Sequence, residues 1–429
     1  MTVAWVYLVV SALGALLTFL ALFPGPRSGL LPALFFVSSL LVGELAPFHV
    51  AWQAVATVVF IAFGALDAWP GWLGLALTLA SWCGLLIAIR RARRTVDIME
   101  AALVATLGAD YRAAISPELT ATIGAGEKVR AWRRPYRSRD KDVERIRNIP
   151  YGPAGKRNLL DVYRPRSQAT GCPVLVYVHG GGWVTGSKDR QGLPLMLLLA
   201  ARGWVCVAPN YRLSPKATFP DHLVDVKRAV AWVREHGAEH GADPRFLVVS
   251  GGSAGGHLAA LVALTPNDPE YQPGFEHADT AVTAAVPLYG VYDLLDRRGI
   301  RRDRVQRNFL EKRVLKSSPE RDREAWEKAS PISHVRSDAP PFFVVHGRND
   351  SLLFWEDAHY FVDALRAVSD EPVVYAELPG AQHAFELFAS VRGVAVVEGV
   401  ARFLAWVRST RPPASRRVPG IDSPSRRHA

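Results

Sequence analysis

Cysteine is scarce: three residues in 429, Cys83, Cys172 and Cys206, with no C-x-x-C spacing. That excludes a disulfide framework or a zinc ribbon and leaves buried, small apolar side chains as the expectation. Nucleic-acid-binding motifs are also missing, although the formal net charge is +11. The basic residues gather beside apolar segments and in the C-terminal tail, so the charge points to anionic lipid headgroups and not to nucleic acid. Charge of either sign is absent from Val3 to Phe23. No basic segment precedes that stretch, and it is too long for the apolar part of a cleaved signal peptide. In the apolar segments that follow, Glu44 and Asp67 lie near the ends and no carboxylate or arginine lies in the middle. The usual marks of an ion or proton pathway are therefore lacking, which favours an anchor over a transporter.

What the N-terminus does have is long apolar runs. As a helix, Val3–Phe23 would be about 31 Å long, enough for the hydrocarbon core of a bilayer. Leu30–Leu45, Phe48–Leu66 and Trp72–Ile89 follow, separated by Pro24–Arg27, Glu44–Pro47 and Asp67–Gly71. Residues 1–94 are thus expected to form an all-α transmembrane region of about four spans, the second the shortest. Arg90, Arg91, Arg93 and Arg94 close the last one. The positive-inside bias then places the downstream chain in the cytoplasm, with the N-terminus on the same side, in a protein integral to the plasma membrane. Residues 95–150 read as a basic linker with amphipathic helical pieces that could contribute to a cap. Residues 151–410 read as the main folded domain. Residues 411–429, rich in Pro, Ser and Arg with little to bury, read as a disordered tail.

Within the main domain, Leu159–Tyr163 alternates and ends at Arg164-Pro165, as an early antiparallel strand would. Pro173–Val178, Val205–Ala208, Phe246–Val249, Val282–Leu288, Phe342–Val345 and Val373–Leu378 are short apolar runs suited to strands buried on both faces. Helical patterns separate most of them. In Asp221–His236, Leu223, Val226, Val230 and Val233 mark one face. The alternation predicts a doubly wound, mostly parallel α/β sheet whose ligands sit beyond the strand C-termini.

The sequence around Ser253 organises the rest. Phe246–Val249 reads as a buried strand, Gly251-Gly252-Ser253-Ala254-Gly255 as a tight turn, and His257 onwards as a helix. A G-x-S-x-G between strand and helix is the context of a nucleophile elbow; alone it would equally suit a phosphate-binding turn. His179-Gly180-Gly181-Gly182-Trp183 directly follows another strand, where successive glycine amides can turn toward a cleft and stabilise an oxyanion. Asp350 and His383 follow two later strands and so belong at the same rim. A serine hydroxyl needs a histidine to take its proton, and the histidine needs a buried carboxylate to hold its tautomer. Glu356 and Asp357 are fallback acids inside a helix, while His257 and His334 read as structural.

Taken together, HGGGW, the elbow GGSAGG, NYRLSP (Asn210–Pro215), HGRND and the late QH resemble the hormone-sensitive-lipase-like esterases of the α/β-hydrolase superfamily. Similar sequences include bacterial carboxylesterases and relatives of arylacetamide deacetylases and kynurenine formamidases. The resemblance runs from about Tyr151 to Val407 and does not cover the membrane segment. It implies Ser253 as nucleophile, Asp350 as acid, His383 as base, and the amides of Gly181, Gly182 and Ala254 as the oxyanion hole. The family's commoner elbow is GDSAGG, with Asp where this chain has Gly252, and its commoner YRLAPE is YRLSPK here.

The expectation is therefore a membrane-anchored serine carboxylesterase acting on small-molecule or lipid esters, with no metal or organic cofactor. An amidase or deacetylase on the same machinery, and a non-catalytic membrane receptor or scaffold that kept the fold, are the alternatives. Asp293–Val335 is expected to form a helical lid, with a helix starting at Ser318-Pro319-Glu320 and Val305, Phe309 and Leu315 facing either the cleft or the core.

Overall fold

The computed structural model describes residues 2–23, 25, 31–124, 131–301 and 304–411. The expected tail beyond Arg411, and Arg27, lie outside the described residues.

All four apolar N-terminal segments are helical. They are α1 (Thr2–Leu22), α2 (Leu31–Ser38, continuing as a π-helical turn Ser39–Gly43), α3 (Ala46–Ala62) and α4 (Trp69–Arg93). Not all of them are long enough to cross a membrane alone. Thr2–Leu22 and Trp69–Leu107 are long and apolar enough to cross a membrane alone, whereas Phe35–Gly43 and Ala46–Ala62 form one pair bent by 81°. Pro47, within the first two positions of α3, explains the break: it has no N–H to continue the preceding ladder and its ring suits the first turn of a new helix.

Small polar side chains join these helices across their contacts. The Tyr7 hydroxyl lies 3.4 Å from that of Thr57 and 3.3 Å from that of Thr78, and Thr18 and Ser81 hydroxyls are 2.8 Å apart. Arg91 at the end of α4 donates to the carbonyl of Leu22 at the end of α1, at 2.9 Å. Helices α1 and α4 therefore run the same way, and α3 runs back between their ends, with Phe60 against Tyr7. The outer surface is apolar. Among the described residues, all but four of the large exposed hydrophobic side chains belong to the stretch from Trp5 to Ile87.

The folded domain begins earlier than expected. Residues 95–124 and 131–150, expected as a linker, are part of it. In α5 (Thr95–Leu107), Met99 and Leu103 are fully buried in the core, and Tyr111 and Ile115 join them. After α6 (Pro117–Gly124), β1 (Val143–Pro150) pairs antiparallel with β2 (Leu159–Pro165) at the sheet edge.

The remaining strands are β3 (Cys172–Val178), β4 (Val205–Pro209), β5 (Ala242–Gly252), β6 (Ala284–Leu288), β7 (Phe342–Gly347) and β8 (Val373–Leu378). Their order is β1-β2-β4-β3-β5-β6-β7-β8, parallel from β4 through β8. Helices α7 (Leu193–Ala201), α8 (Asp221–His236) and α9 (Ala254–Leu264) follow β3, β4 and β5, so apolar runs buried on both faces are what the topology demands. Cys172 and Cys206 are buried as expected, while Cys83 lies on the exposed surface of α4; all three are free.

The segment expected as a lid holds α10 (Val305–Phe309), a π-helical turn Leu310–Val314 and α11 (Arg323–Lys328). The helix start at Ser318–Glu320 is not observed. Those residues form a turn, and α11 begins after Asp322, whose carboxylate accepts the Ala325 N–H at 3.0 Å. Val305 is exposed, and Leu315 is buried in the core. The domain closes with α12 (Trp355–Arg366) and α13 (Val391–Thr410).

One buried ion pair ties the N-terminal helices to the sheet domain. Glu44, at the bend, accepts from Arg392 at 2.8 Å and from the Ser390 hydroxyl at 2.6 Å, and both charged side chains are 2% exposed. Breaking a buried pair from one side strands the other charge and costs about 3–5 kcal/mol. Glu44→Ala should therefore lower the thermal midpoint of the detergent-solubilised protein by several degrees; an unchanged midpoint would show that the pair contributes no coupling.

Candidate active site

Ser253 stands between the end of β5 and the start of α9, at φ 59° and ψ −123°. This is a left-handed conformation that costs an L-residue energy and persists only where the surroundings enforce it. Its N–H donates to Leu288 O and its carbonyl accepts from His257 N, each at 3.0 Å. Neighbouring backbone is so close that a Cβ at Gly256 would stand 2.7 Å from Leu288 O, and one at Gly255 2.8 Å from His179 O. The turn therefore requires glycine at both positions.

The glycine loop after β3 passes directly beside this turn, since a Cβ on Gly180 would be 3.0 Å from that of Ser253. Gly181 and Gly182 have φ of 114° and 59°, and Gly181 O accepts the N–H groups of Val184 and Thr185 at 3.2 and 3.1 Å. The Asn210–Pro215 segment braces the loop. Tyr211 stacks on His179 at 4.4 Å and donates to its carbonyl at 3.0 Å, while Ser214 N donates to Trp183 O at 2.8 Å. Burial pushes His179 down to about 4, so it is neutral at physiological pH. Phe309 of α10 lies against Gly182, which places the lid segment on the glycine loop.

On the neighbouring strands, Asp350 follows β7 and His383 follows β8. Nδ1 of His383 is 2.7 Å from Oδ2 of Asp350. The other carboxylate oxygen accepts the N–H groups of Leu352 and Leu353, both at 2.8 Å. Gln382 joins the two loops, its Oε1 accepting from Ser351 N at 2.7 Å and His383 N at 2.9 Å. Burial alone would raise the Asp350 pKa, but the charge of His383 and hydrogen bonds from His346 and His383 outweigh it and hold the carboxyl well below its usual range.

The structure thus pairs Asp350 with His383, and Ser253 with the glycine loop bearing Gly181 and Gly182. Among the described residues, the Ser253 hydroxyl makes no protein hydrogen bond. The two halves meet at Tyr289, which packs against Gly252 and presents its ring edge-to-face to His383 at 4.7 Å. Ala254 is the first residue of α9, where an amide has no partner within the helix. Asp357 is excluded as the acid: its carboxylate accepts the N–H groups of Tyr292 and Asp293 at 2.7 and 3.2 Å. His257 and His334 are structural, bonded to the carbonyls of Ala329 and Lys328 at 2.7 and 2.9 Å.

Three features of the site went unread in the sequence. His346 flanks Asp350 at 3.3 Å. Glu386 is buried and accepts from both Tyr177, at 2.9 Å, and Tyr289. Phe36 of α2 meets His383 edge-to-face at 5.9 Å. His346 opens the HGRND run that ends at Asp350, but no local pattern announces the contacts of Glu386 and Phe36, and the unusual Gly252 was the one hint of Tyr289.

The BD-FAE family model matches residues 160–365. The chain is also 46% identical over 342 residues to the probable carboxylic ester hydrolase LipM of Mycobacterium tuberculosis, covering 79% of each chain. It belongs to the hormone-sensitive-lipase-like esterases of the α/β-hydrolase superfamily. Esterase LipQ of the same organism is 44% identical over 78% of this chain and 80% of its own. Among solved structures, a truncated carbohydrate esterase from gut microbiota superposes with a TM-score of 0.53 at 20% identity, over 62% of this chain and all of its own, a likeness of fold.

Membership of these carboxylic ester hydrolases makes Gly252 worth explaining. A Cβ there would run into the Tyr289 hydroxyl and ring, so the family's commoner Asp has no room while that tyrosine is present. Overpacking of this kind costs about 1–3 kcal/mol. Gly252→Asp should lower the unfolding free energy by that amount, and should cost less when made in a Tyr289→Ala background than in the parent protein, whatever Tyr289→Ala costs by itself. Equal stability of Gly252→Asp and the parent protein would contradict the steric account.

Proposed function

We propose that this chain is a membrane-anchored serine carboxylesterase that works through an acyl-enzyme. The observation that carries the reading is the Asp350–His383 hydrogen bond at the same sheet rim as the Ser253 elbow. His383 Nε2 takes the Ser253 proton as Oγ bonds to the ester carbonyl carbon. The oxygen that becomes negative is received by the amides of Gly181, Gly182 and Ala254. As the C–O bond to the alcohol breaks, His383 returns the proton to the leaving oxygen. A water deprotonated by His383 then attacks the acyl carbon, and Ser253 recovers its proton as the acid departs. These steps call on no metal or organic cofactor.

The membrane reading rests on the apolar outer surface of residues 5–87 and on the direction of the helices. With α2 and α3 as one bent pair, there are three crossings and not the four expected from sequence. Thr2 then faces the side opposite the catalytic domain. The arginines at the end of α4 lie next to that domain, which the positive-inside bias puts in the cytoplasm.

Ser253→Ala should abolish turnover of p-nitrophenyl butyrate while leaving circular dichroism unchanged, and Asp350→Asn should lower kcat by roughly 10³–10⁴-fold. Undiminished turnover by Ser253→Ala would refute the mechanism. A parallel panel of anilides separates the esterase from an amidase: esters should be cleaved far faster.

A further inference from the structure

Helix α2 and its π-helical extension have two apolar faces with different surroundings. On one face, Phe36 meets the His383 ring, and Phe36 and Leu40 pack with Ala384, Leu387 and Phe388 of the segment that carries this histidine. On the other, Val37 and Leu41 are 51% and 40% exposed, continuous with the apolar surface of the N-terminal bundle. One helix, about 10 Å across, separates the proposed general base from the surface assigned to lipid.

The position of α2 is fixed at both ends by the loops of the site. Ser351, next to Asp350, donates its hydroxyl to Pro32 O at 3.0 Å. Glu44, just past the π-helical turn, is held by Arg392 and Ser390 in the segment following His383. The loops bearing the acid and the base are thus both fastened to the same apolar segment. A freely tethered anchor would have no reason to touch either.

We propose that α2 forms a wall of the active site, that Phe36 is a specificity residue in contact with the substrate beside His383, and that the substrate is a long-chain acyl ester dissolved in the bilayer. Such an ester reaches Ser253 along α2 without its chain passing through water. Every methylene that stays in an apolar environment avoids the cost of hydration, so this route favours long chains over short ones. The proposal rests on the membrane-anchored esterase reading above.

The test uses the full-length chain in phosphatidylcholine vesicles, with p-nitrophenyl butyrate and p-nitrophenyl palmitate as substrates. The parent protein should cleave both. Phe36→Ala should lower the ratio of kcat/KM for the palmitate to that for the butyrate about 10-fold or more, whatever it costs the butyrate. Phe36→Leu, which keeps an apolar wall, should recover most of the palmitate activity. Equal losses on both esters would make Phe36 a mere support for His383 and overturn the proposal, as would no change on either. Should Phe36→Ala fail to fold, Phe36→Tyr decides, since it keeps the ring beside His383 and puts a hydroxyl on the apolar wall: a chain-length ratio below that of the parent supports the wall, and an unchanged ratio overturns it. A parent protein that cleaves the butyrate alone leaves the esterase reading standing and sinks this one. Cleavage of neither sinks both.

Discussion

A serine held at φ 59° and ψ −123° is an arrangement that most of a protein would relax away. Here relaxation is blocked from both sides. Strand β5 is fixed in the middle of the sheet by β3 and β6, and every residue of α9 is buried. The backbone carbonyls of Val178, His179 and Leu288 crowd the turn so closely that only glycine fits at Gly255 and Gly256. Strain of this kind costs on the order of 1–3 kcal/mol, which the packed sheet supplies. Once the hydroxyl is lifted there, the parallel topology decides what can surround it. The chain leaves β3, β7 and β8 at the same edge, carrying the glycine loop, Asp350 and His383.

Electrostatics then selects which of the buried polar groups carry charge. Asp350 keeps its charge because two amides and two imidazoles face it, and that depressed pKa also stabilises the fold. The contribution is present above the ordinary carboxylate range and is lost as pH falls through the folded-state value. His179 and His257 have no carboxylate partner; burial pushes both down to about 4 and keeps them neutral. Asp357 goes the other way. Burial raises it to about 6 in spite of its two amide donors, the N–H groups of Tyr292 and Asp293.

The parts of this arrangement that were legible in sequence are those with local signatures. Six apolar runs became strands because burial on both faces demands uninterrupted β-branched residues, and Ser253, Asp350 and His383 stood out because each follows such a run. Strand β1 was missed for the complementary reason. Its sequence, Val-Glu-Arg-Ile-Arg-Asn-Ile-Pro, is that of an edge strand, whose charges guard the open side of a sheet. Helix α5 was assigned to a linker because its apolar positions look no different from a surface helix until Met99 and Leu103 are seen beneath α13. The bend at Pro47 was not foreseen, because composition cannot tell a bend from a loop between two crossings. Phe36, Tyr289 and Glu386 act across the fold, and nothing near them in the chain says so.

In the proposed mechanism Ser253 Oγ, deprotonated by His383, attacks the ester carbonyl beneath the amides of the glycine loop. A crystal structure of the protein inactivated with an alkyl fluorophosphonate tests it most directly. Phosphorus bonded to Ser253 Oγ is expected, with the phosphoryl oxygen within hydrogen-bond distance of the Gly181, Gly182 and Ala254 amides and His383 Nε2 facing Oγ. An adduct on another residue, or a phosphoryl oxygen turned away from those amides, would contradict the account.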